Sequence, residues 1–211
     1  MGQQYPDLNG KTREDAWQLL QEWVPSESLQ RHCLAVETAM RAYARKYGEP
    51  EEAWGMLGLL HDFDYERHPT MEEHTKVGAK VLAEAGYPAW LSEALLVHGF
   101  DENYQRASLM DRALFAVDEL TGFISAVALV RPSKAVADVK YSSVKKKLKD
   151  KSFAAGVHRA ELTEGAEELG VPFDEHVTFV IAAMAENADA LGLRGVAPDS
   201  GEDEKMSDTT Q

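Results

Sequence analysis

At 211 residues the chain is long enough for one domain with a substantial hydrophobic core. Its 44% hydrophobic and 27% charged residues are typical of a globular protein, and no run of about 18 apolar residues predicts a membrane span. A net charge of −14 argues against binding polymeric nucleic acid, because a phosphate backbone requires positive surface. The single cysteine, Cys33, excludes an internal disulfide, and the start resembles no leader peptide, so we expect a cytoplasmic protein.

The negative charge is unevenly distributed along the chain. Residues 131–160 contain nine lysines and arginines against two aspartates, a net charge of +7, so the remainder carries −21. A basic segment on an acidic protein predicts either an anion site or an ordinary solvated helix face. The sequence leaves both interpretations open.

The predicted elements are all helices. Capping residues such as Thr12, glycines such as Gly48 and prolines such as Pro132 mark their ends. No alternating run of β-branched residues predicts a strand. We therefore expect a single all-α domain of about eight to ten helices. The predicted helices are, in chain order, 12–23, 26–47 or 28–47, 51–62, 70–85, 88–98, 108–130, 134–138, 142–149, 153–169 and 174–191.

Several polar residues fall in strongly apolar segments of these helices. His61 and Asp62 end the apolar third helix, His32 lies near the inward face of the second, and Asp118 is flanked by apolar residues on the sixth. An unpaired polar group is costly in such surroundings, and a metal ion would explain all four residues together. With one cysteine in the chain, imidazole and carboxylate are the available ligands.

The geometry of the third helix limits where such an ion can lie. Adjacent helical residues such as His61 and Asp62 point about 100° apart. Both can bind one ion only if the ion lies beyond the end of the helix, and the predicted loop from Phe63 to Pro69 permits this. We interpret the nearby Asp64 and Glu66 as solvated loop acids.

The ordered set His32, His61-Asp62 and Asp118 on successive helices resembles the HD-domain superfamily of metal-dependent phosphohydrolases. The runs Gly58-Leu59-Leu60-His61-Asp62 and Glu73-His74-Thr75-Lys76-Val77-Gly78-Ala79 are similar to its HDIG-type branch. The resemblance covers roughly residues 28–130. The remaining chain, with its lysine-rich segment, resembles uncharacterised predicted hydrolases of this type and indicates no substrate.

This resemblance implies a helical domain that holds a divalent ion with four ligands, His32, His61, Asp62 and Asp118. Family members with two metals add histidines on the intervening helices, and His74 and His98 stand at such positions. Two-metal members often have paired histidines near the fifth helix, whereas Gly99 follows His98 here. We therefore expect one ion, and a second site at His74 and His98 stays open.

The resemblance also divides the chain into four predicted parts. An N-terminal helix in residues 1–27 precedes the metal-binding core in residues 28–130. Helices in residues 131–193, lysine-rich at 134–151, are expected to pack on this core. Residues 195–211 are polar and acidic, with few hydrophobic side chains, and predict a disordered tail.

Two imidazoles and two carboxylates with open positions suit Mn, Fe, Zn, Co or Mg. Such an ion activates a water molecule and polarises a phosphoryl oxygen. We predict that Asp62 helps to orient or deprotonate that water, and that Arg112 and Lys146 stabilise the phosphate. The expected substrate is a small phosphoester, with a nucleotide as the first candidate. We expect no polymeric nucleic acid and no membrane as partner, and the sequence leaves the oligomeric state open.

Two other functions remain open at this stage. A few members of the superfamily are di-iron oxygenases, which requires a complete second metal site. The chain could also be a non-catalytic module that binds a phosphorylated ligand for signalling, although the intact set of four ligands argues against it. His68, His158 and His176 are interpreted as surface or core histidines.

Overall fold

The computed structural model describes residues 7–99 and 105–196. Within these ranges the chain forms nine α-helices and one 3-10 turn at Val136–Asp138, and it contains no strand. An isolated antiparallel bridge joins Ala135 to Arg194. The helices are α1 Arg13–Trp23, α2 Glu27–Tyr47, α3 Glu51–Leu60, α4 Lys76–Glu84, α5 Ala89–His98, α6 Leu109–Leu129, α7 Tyr141–Leu148, α8 Arg159–Leu169 and α9 Phe173–Glu186.

Local signals in the sequence explain where several helices begin and end. Thr12 and Asp15 form a capping box at the start of α1, and Ser108 and Asp111 form another at the start of α6. These boxes satisfy backbone N–H groups that have no partner inside the helix. Gly48 ends α2 in the left-handed region at φ 71°, where a residue with a Cβ atom is strained.

The two longest helices, α2 and α6, form the centre of the fold. α2 packs against α3, α6 and α9, while α6 also packs against α5, α7 and α8. Because it is covered on several sides, α2 is buried from Cys33 to Met40 without interruption. Phe123 and Ile124 of α6 are fully buried in the same core. Burial of this apolar surface is the main source of stability for the domain.

One buried carboxylate fastens α1 to this core. Glu37 of α2 is 4% exposed and accepts two hydrogen bonds from the Arg13 guanidinium at 2.7 and 2.8 Å. Arg41, one turn later on α2, donates to the same carboxylate at 2.9 Å. A buried charge is tolerated because both of its oxygens are paired.

Three predicted boundaries were wrong by five residues or more, and the third helix ends at Leu60 instead of Asp62. The fourth helix begins at Lys76 instead of Thr70, after turns that end at Thr75 with a positive φ of 64°. Helix α8, predicted to begin at residue 153, begins at Arg159. The Arg159 guanidinium donates to the carbonyls of Asp150 and Phe153, and these two residues stay in turns.

The ninth helix ends at Glu186 instead of Leu191, and the side chain of Asn187 donates to Thr38 of α2 at 2.9 Å. Apart from Gly195 and Val196, the predicted disordered tail lies outside the described residues. None of the described helices combines the length and the apolarity needed to cross a bilayer.

Candidate metal centre

Six side chains predicted from the sequence meet at one place in the fold. They come from the first part of α2, the chain just after α3, the turn before α4, the end of α5 and the middle of α6. Since α3 ends at Leu60, His61 and Asp62 lie beyond the helix end, as their shared role requires. The six residues are His32, His61, Asp62, His74, His98 and Asp118.

One group of ring nitrogens faces the Asp118 carboxylate. His32 Nε2 lies 2.9 Å from Asp118 Oδ1, and His61 Nε2 lies 3.3 Å from the same oxygen. The two nitrogens are only 3.2 Å apart. Asp62 Oδ2 completes the group at 3.6 Å from His61 Nε2 and 4.0 Å from His32 Nε2.

A second group lies on the other side of Asp62. Its Oδ1 atom is 3.3 Å from His74 Nε2 and 3.2 Å from His98 Nε2. Asp118 Oδ2 faces the same region, 3.8 Å from His98 Nε2. The two oxygens of Asp62 therefore point toward different pairs of histidines, and this carboxylate lies between the two groups.

Gly99 permits this arrangement despite its departure from the family pattern. A Cβ atom at position 99 would collide with the Thr75 hydroxyl. The turn that contains His74 and Thr75 therefore packs directly on the end of α5, and this packing places His74 and His98 beside the same oxygen of Asp62. A second histidine at position 99 has no room in this packing.

The far sides of two histidine rings are fixed by further hydrogen bonds. His61 Nδ1 donates to the Gly58 carbonyl at 2.8 Å, and His74 Nδ1 donates to Asp64 Oδ1 at 2.9 Å. In the neutral ring, which is the form that binds a metal, each bond leaves Nε2, which faces the site, with a free lone pair. Partners of this kind orient the histidine ligands of metal sites.

The interpretation of Asp64 as a solvated loop acid was wrong. Its side chain is 0% exposed, and its second oxygen accepts the Gly78 backbone N–H at 2.8 Å. The next acid, Glu66, is exposed as expected and accepts the Ser26 N–H at 3.4 Å. The alternation of burial arises because the chain turns sharply after α3, and sequence spacing alone does not show this turn.

The electrostatics of the group favour ionised carboxylates. Burial alone would raise the pKa of Asp62 and of Asp118, yet the adjacent histidines hold both values well below the usual range. Burial lowers the pKa of His61, but the charges of Asp62 and Asp118 outweigh it and raise the value to about 9. The pKa of His74 is also raised to about 9, because the charges of Asp62 and Asp64 outweigh the effect of its desolvation. Two half-buried carboxylates with low pKa values make this an attractive site for cations.

The donor set fits a divalent ion. The atoms that converge are imidazole nitrogens and carboxylate oxygens, the combination that suits Mn, Fe, Zn and Co. The contact between His32 Nε2 and His61 Nε2 supports this fit, because two ring nitrogens at that distance need a shared proton or a shared cation between them. Two groups could each hold an ion: His32 and His61 with the carboxylates beside them, and Asp62 with His74 and His98.

The two predicted phosphate-binding cations lie elsewhere. Arg112 donates to the Ala107 carbonyl at 2.9 Å, and Lys146 is exposed on α7. Neither side chain lines the cavity beside the six residues. Their role in catalysis stays a prediction, and no contact with the candidate centre supports it.

The cavity beside the centre measures about 620 Å³. Sequence reasoning missed another part of the cavity lining, a wall that consists of Glu119, His158 and Glu161. His158 Nδ1 lies 3.4 Å from Glu119 and 3.5 Å from Glu161, and these three residues could also hold an ion. Only the position of Glu119 directly after Asp118 gave a signal for this wall in the sequence. Apolar contacts come from Tyr65, Pro69 and Met71.

Comparison with known families gives one match. A family model described as HD domain matches residues 29–122, which include all six residues of the candidate centre. The match supports the superfamily and does not distinguish the HDIG-type branch. A search of curated proteins and a search of solved structures each found no match.

Proposed function

Because the chain belongs to the HD-domain superfamily through residues 29–122, we propose that it is a metal-dependent phosphohydrolase acting on a small phosphoester. One observation supports this proposal above the others. The Asp62 carboxylate lies between His32 and His61 on one side and His74 and His98 on the other. This arrangement favours two ions, where the sequence led us to expect one.

The proposed ligands divide between two positions. His32, His61, Asp62 and Asp118 would hold one ion, while Asp62, His74 and His98 would hold the other. A divalent ion bound there supplies a Lewis acid for a phosphoryl oxygen and lowers the pKa of water. Asp62 and Asp118 stay ionised at neutral pH because their pKa values are strongly lowered. Their oxygens therefore accept hydrogen bonds from a water molecule and orient it for attack on phosphorus.

The cavity supports a substrate of nucleoside monophosphate size. Its volume of about 620 Å³ lies in the range of about 300–1,000 Å³ that small-molecule sites occupy. Tyr65 and Met71 are exposed and line it, so they offer an apolar surface for a nucleobase or another flat group. A nucleotide remains the first candidate within the wider class of small phosphomonoesters.

The test combines metal analysis with a panel of phosphoesters. We expect the purified chain, loaded with Mn or Co, to hydrolyse at least one small phosphomonoester. Asp62→Ala should lose metal and at least about a thousandfold in kcat/KM, because the carboxylate between the ions is gone. Asp174→Ala, which removes an exposed acid from the first turn of α9, should match the wild type. Retained metal without turnover on any phosphoester would contradict the proposal and favour a non-catalytic module.

A di-iron oxygenase is the second candidate. The placement of Asp62 between two groups of histidines is also the arrangement that two irons would need. Iron analysis of protein purified under anaerobic conditions, followed by oxygen-uptake measurements on the same panel, separates the two activities. One metal per chain would contradict the oxygenase, whereas oxygen uptake that depends on substrate would support it.

A further inference from the structure

The lining of the cavity carries one sign of charge. Besides the histidines, its charged residues are the four acids Asp62, Asp118, Glu119 and Glu161, and no lysine or arginine lines it within the described ranges. Two of these acids belong to the candidate metal centre. Glu119 and Glu161 have no such role, and their presence in a phosphate-processing cavity needs a separate explanation.

The geometry of the wall leaves both carboxylates able to accept more hydrogen bonds. Glu119 follows Asp118 on α6, Glu161 lies in the first turn of α8, and His158 precedes that helix. The distances from His158 Nδ1, 3.4 and 3.5 Å, exceed the usual limit of about 3.2 Å for a hydrogen bond from nitrogen. The backbone N–H of His158 also bonds the Glu119 carboxylate. Each ionised carboxylate offers about four acceptor positions, so His158 does not use them up.

The wall is also partly shielded from water. The Glu119 side chain is 26% exposed and that of Glu161 is 18% exposed. No arginine or lysine forms an ion pair with either carboxylate in the described part of the chain. The nearby Arg106 acts on Glu161 only at longer range, because its guanidinium pairs with Glu168 at 2.6 Å. Charge-assisted hydrogen bonds to a carboxylate are about twice as strong as neutral ones.

We propose that Glu119 and Glu161 select substrates that carry N–H donors in addition to the phosphate, above all a primary ammonium group. This inference rests on the proposed phosphohydrolase function. An ammonium group has three donors, enough to bond both carboxylates at once. The N–H edge of a nucleobase offers the same chemistry without the charge. Polyphosphates are disfavoured, since their additional negative charges would meet an acidic wall.

A substrate with a second anionic group could place that group in a neighbouring hollow instead of beside the acidic wall. This hollow measures about 340 Å³, shares His32 and Gly122 with the main cavity and is lined by Arg31. Arg31 is already paired with Glu27 at 2.9 Å. The charge of this hollow is thus partly neutralised, and the acidic wall remains the stronger determinant of specificity.

The test uses two esters that differ by one group, ethanolamine phosphate and ethyl phosphate. For the Mn-loaded full-length protein we expect kcat/KM to be about 10- to 100-fold higher for the amine, the range of a charged hydrogen bond. In Glu161→Gln this ratio should fall about tenfold, and in Glu161→Lys it should fall below one. The matched control is Glu167→Gln, an exposed acid of the same helix outside the cavity, which should keep the wild-type ratio.

Guanosine and uridine monophosphates form a second pair in the same assay. The wild type could prefer guanosine monophosphate, lose this preference in Glu161→Gln, and show no preference for the amine. That result would support the inference and assign the wall to the N–H edge of a nucleobase. Equal kcat/KM for both members of each pair would overturn the inference while leaving the phosphohydrolase intact. Loss of one bound metal ion in Glu161→Gln would overturn it as well, because the wall would then be a metal site.

Calorimetric binding of the same esters keeps the two proposals separable. If the protein hydrolyses neither ethyl nor ethanolamine phosphate, the proposed function fails on those substrates, and binding decides the inference. Tighter binding of ethanolamine phosphate that is lost in Glu161→Gln would support it. Equal binding of the two esters would overturn it.

Discussion

His74 and Asp64 form a partly buried hydrogen bond in which the imidazole Nδ1 donates to the carboxylate Oδ1 at 2.9 Å. The second oxygen of Asp64 is held by the Gly78 N–H, so the carboxylate cannot turn away from the ring. This leaves His74 Nε2 directed at Asp62, 3.3 Å away. A carboxylate behind a histidine ligand fixes its tautomer and increases its basicity. Asp64 therefore positions His74 for the second proposed ion.

Replacing Asp64 by asparagine should weaken that ion specifically. The substitution keeps the size of the side chain and removes its charge, so we expect a loss of about 10- to 100-fold in affinity at the site of His74 and His98. The other site should be affected less. Calorimetric titration of Mn or Co into metal-free protein measures both sites, and far-ultraviolet circular dichroism verifies that the variant is folded.

Glu66→Gln is the matched control for this titration, because Glu66 is an exposed acid two residues after Asp64. It should bind metal as the wild type does. Wild-type affinity at both sites in Asp64→Asn would show that the hydrogen bond to His74 has no role in metal binding.

Removal of metal should lower the thermal stability of the protein. An ion that binds only the folded state stabilises it by about 2.7 kcal/mol when the free ion is 100-fold above Kd. We expect the Tm of the wild type to fall by several degrees on addition of a chelator, and to recover with Mn. His32→Ala should show a smaller change, since one proposed site is incomplete. A wild-type Tm that is indifferent to both chelator and metal would contradict a metal centre in this fold.

Much of the fold follows from short-range signals in the sequence. The capping residues Thr12, Ser26 and Ser108 and the left-handed Gly48 mark helix ends that the structure confirms. The start of α4 was predicted wrongly because it depends on a distant contact. His74 turns toward the buried Asp64, and the chain then passes through Thr75 at a positive φ before the helix begins.

The candidate centre shows the same division between local and distant information. His32, His61-Asp62 and Asp118 stand out in the sequence because polar residues are unusual in apolar helices, and the fold brings them together. Asp64 and the wall of Glu119 and Glu161 gave no comparable signal. Their surroundings are created by the turn after α3 and by the packing of α8 on α6, which residue spacing does not encode.

His176 should make the stability of the protein depend on pH. Burial lowers its pKa from 6.5 to about 4, so the neutral ring is favoured in the folded state. Its Nε2 donates to the Ala116 carbonyl at 2.8 Å, and its Nδ1 accepts the Tyr43 hydroxyl at 2.5 Å. The unfolded chain takes up a proton below about pH 6.5, whereas the folded chain does not until about pH 4. Stability contributed by this residue is therefore present at neutral pH and lost as the pH falls through this window.

Urea unfolding at pH 7 and pH 5 tests this dependence. From these two pKa values His176 should account for a loss of about 2 kcal/mol between the two pH values. His176→Gln lacks the titration, so the difference in unfolding free energy between variant and wild type should shrink by about that amount at pH 5. Because both proteins share all other titrating groups, the comparison isolates this residue. A difference that stays constant with pH would show that the ring does not titrate on unfolding as expected.

Gly165 sets the distance between α8 and α6. A Cβ atom at this position would lie 2.6 Å from the Cα of Ala116, and the obstacle is backbone, which cannot rotate away. Gly165→Ala should therefore lower the free energy of unfolding by about 1–3 kcal/mol through overpacking, despite a gain in helix propensity of about 1 kcal/mol. Since α6 carries Asp118 and α8 carries Glu161, the same change should also shift the cavity walls apart.

Gly156→Ala is the matched control, because a Cβ atom there meets nothing within 4 Å and the position is exposed. Its unfolding free energy should stay within about 0.5 kcal/mol of the wild type. Urea unfolding of the two variants at pH 7 provides the comparison. If Gly165→Ala is as stable as the wild type or more so, α8 can move away from α6 at no cost. The close approach of these helices would then be incidental to the position of the acidic wall.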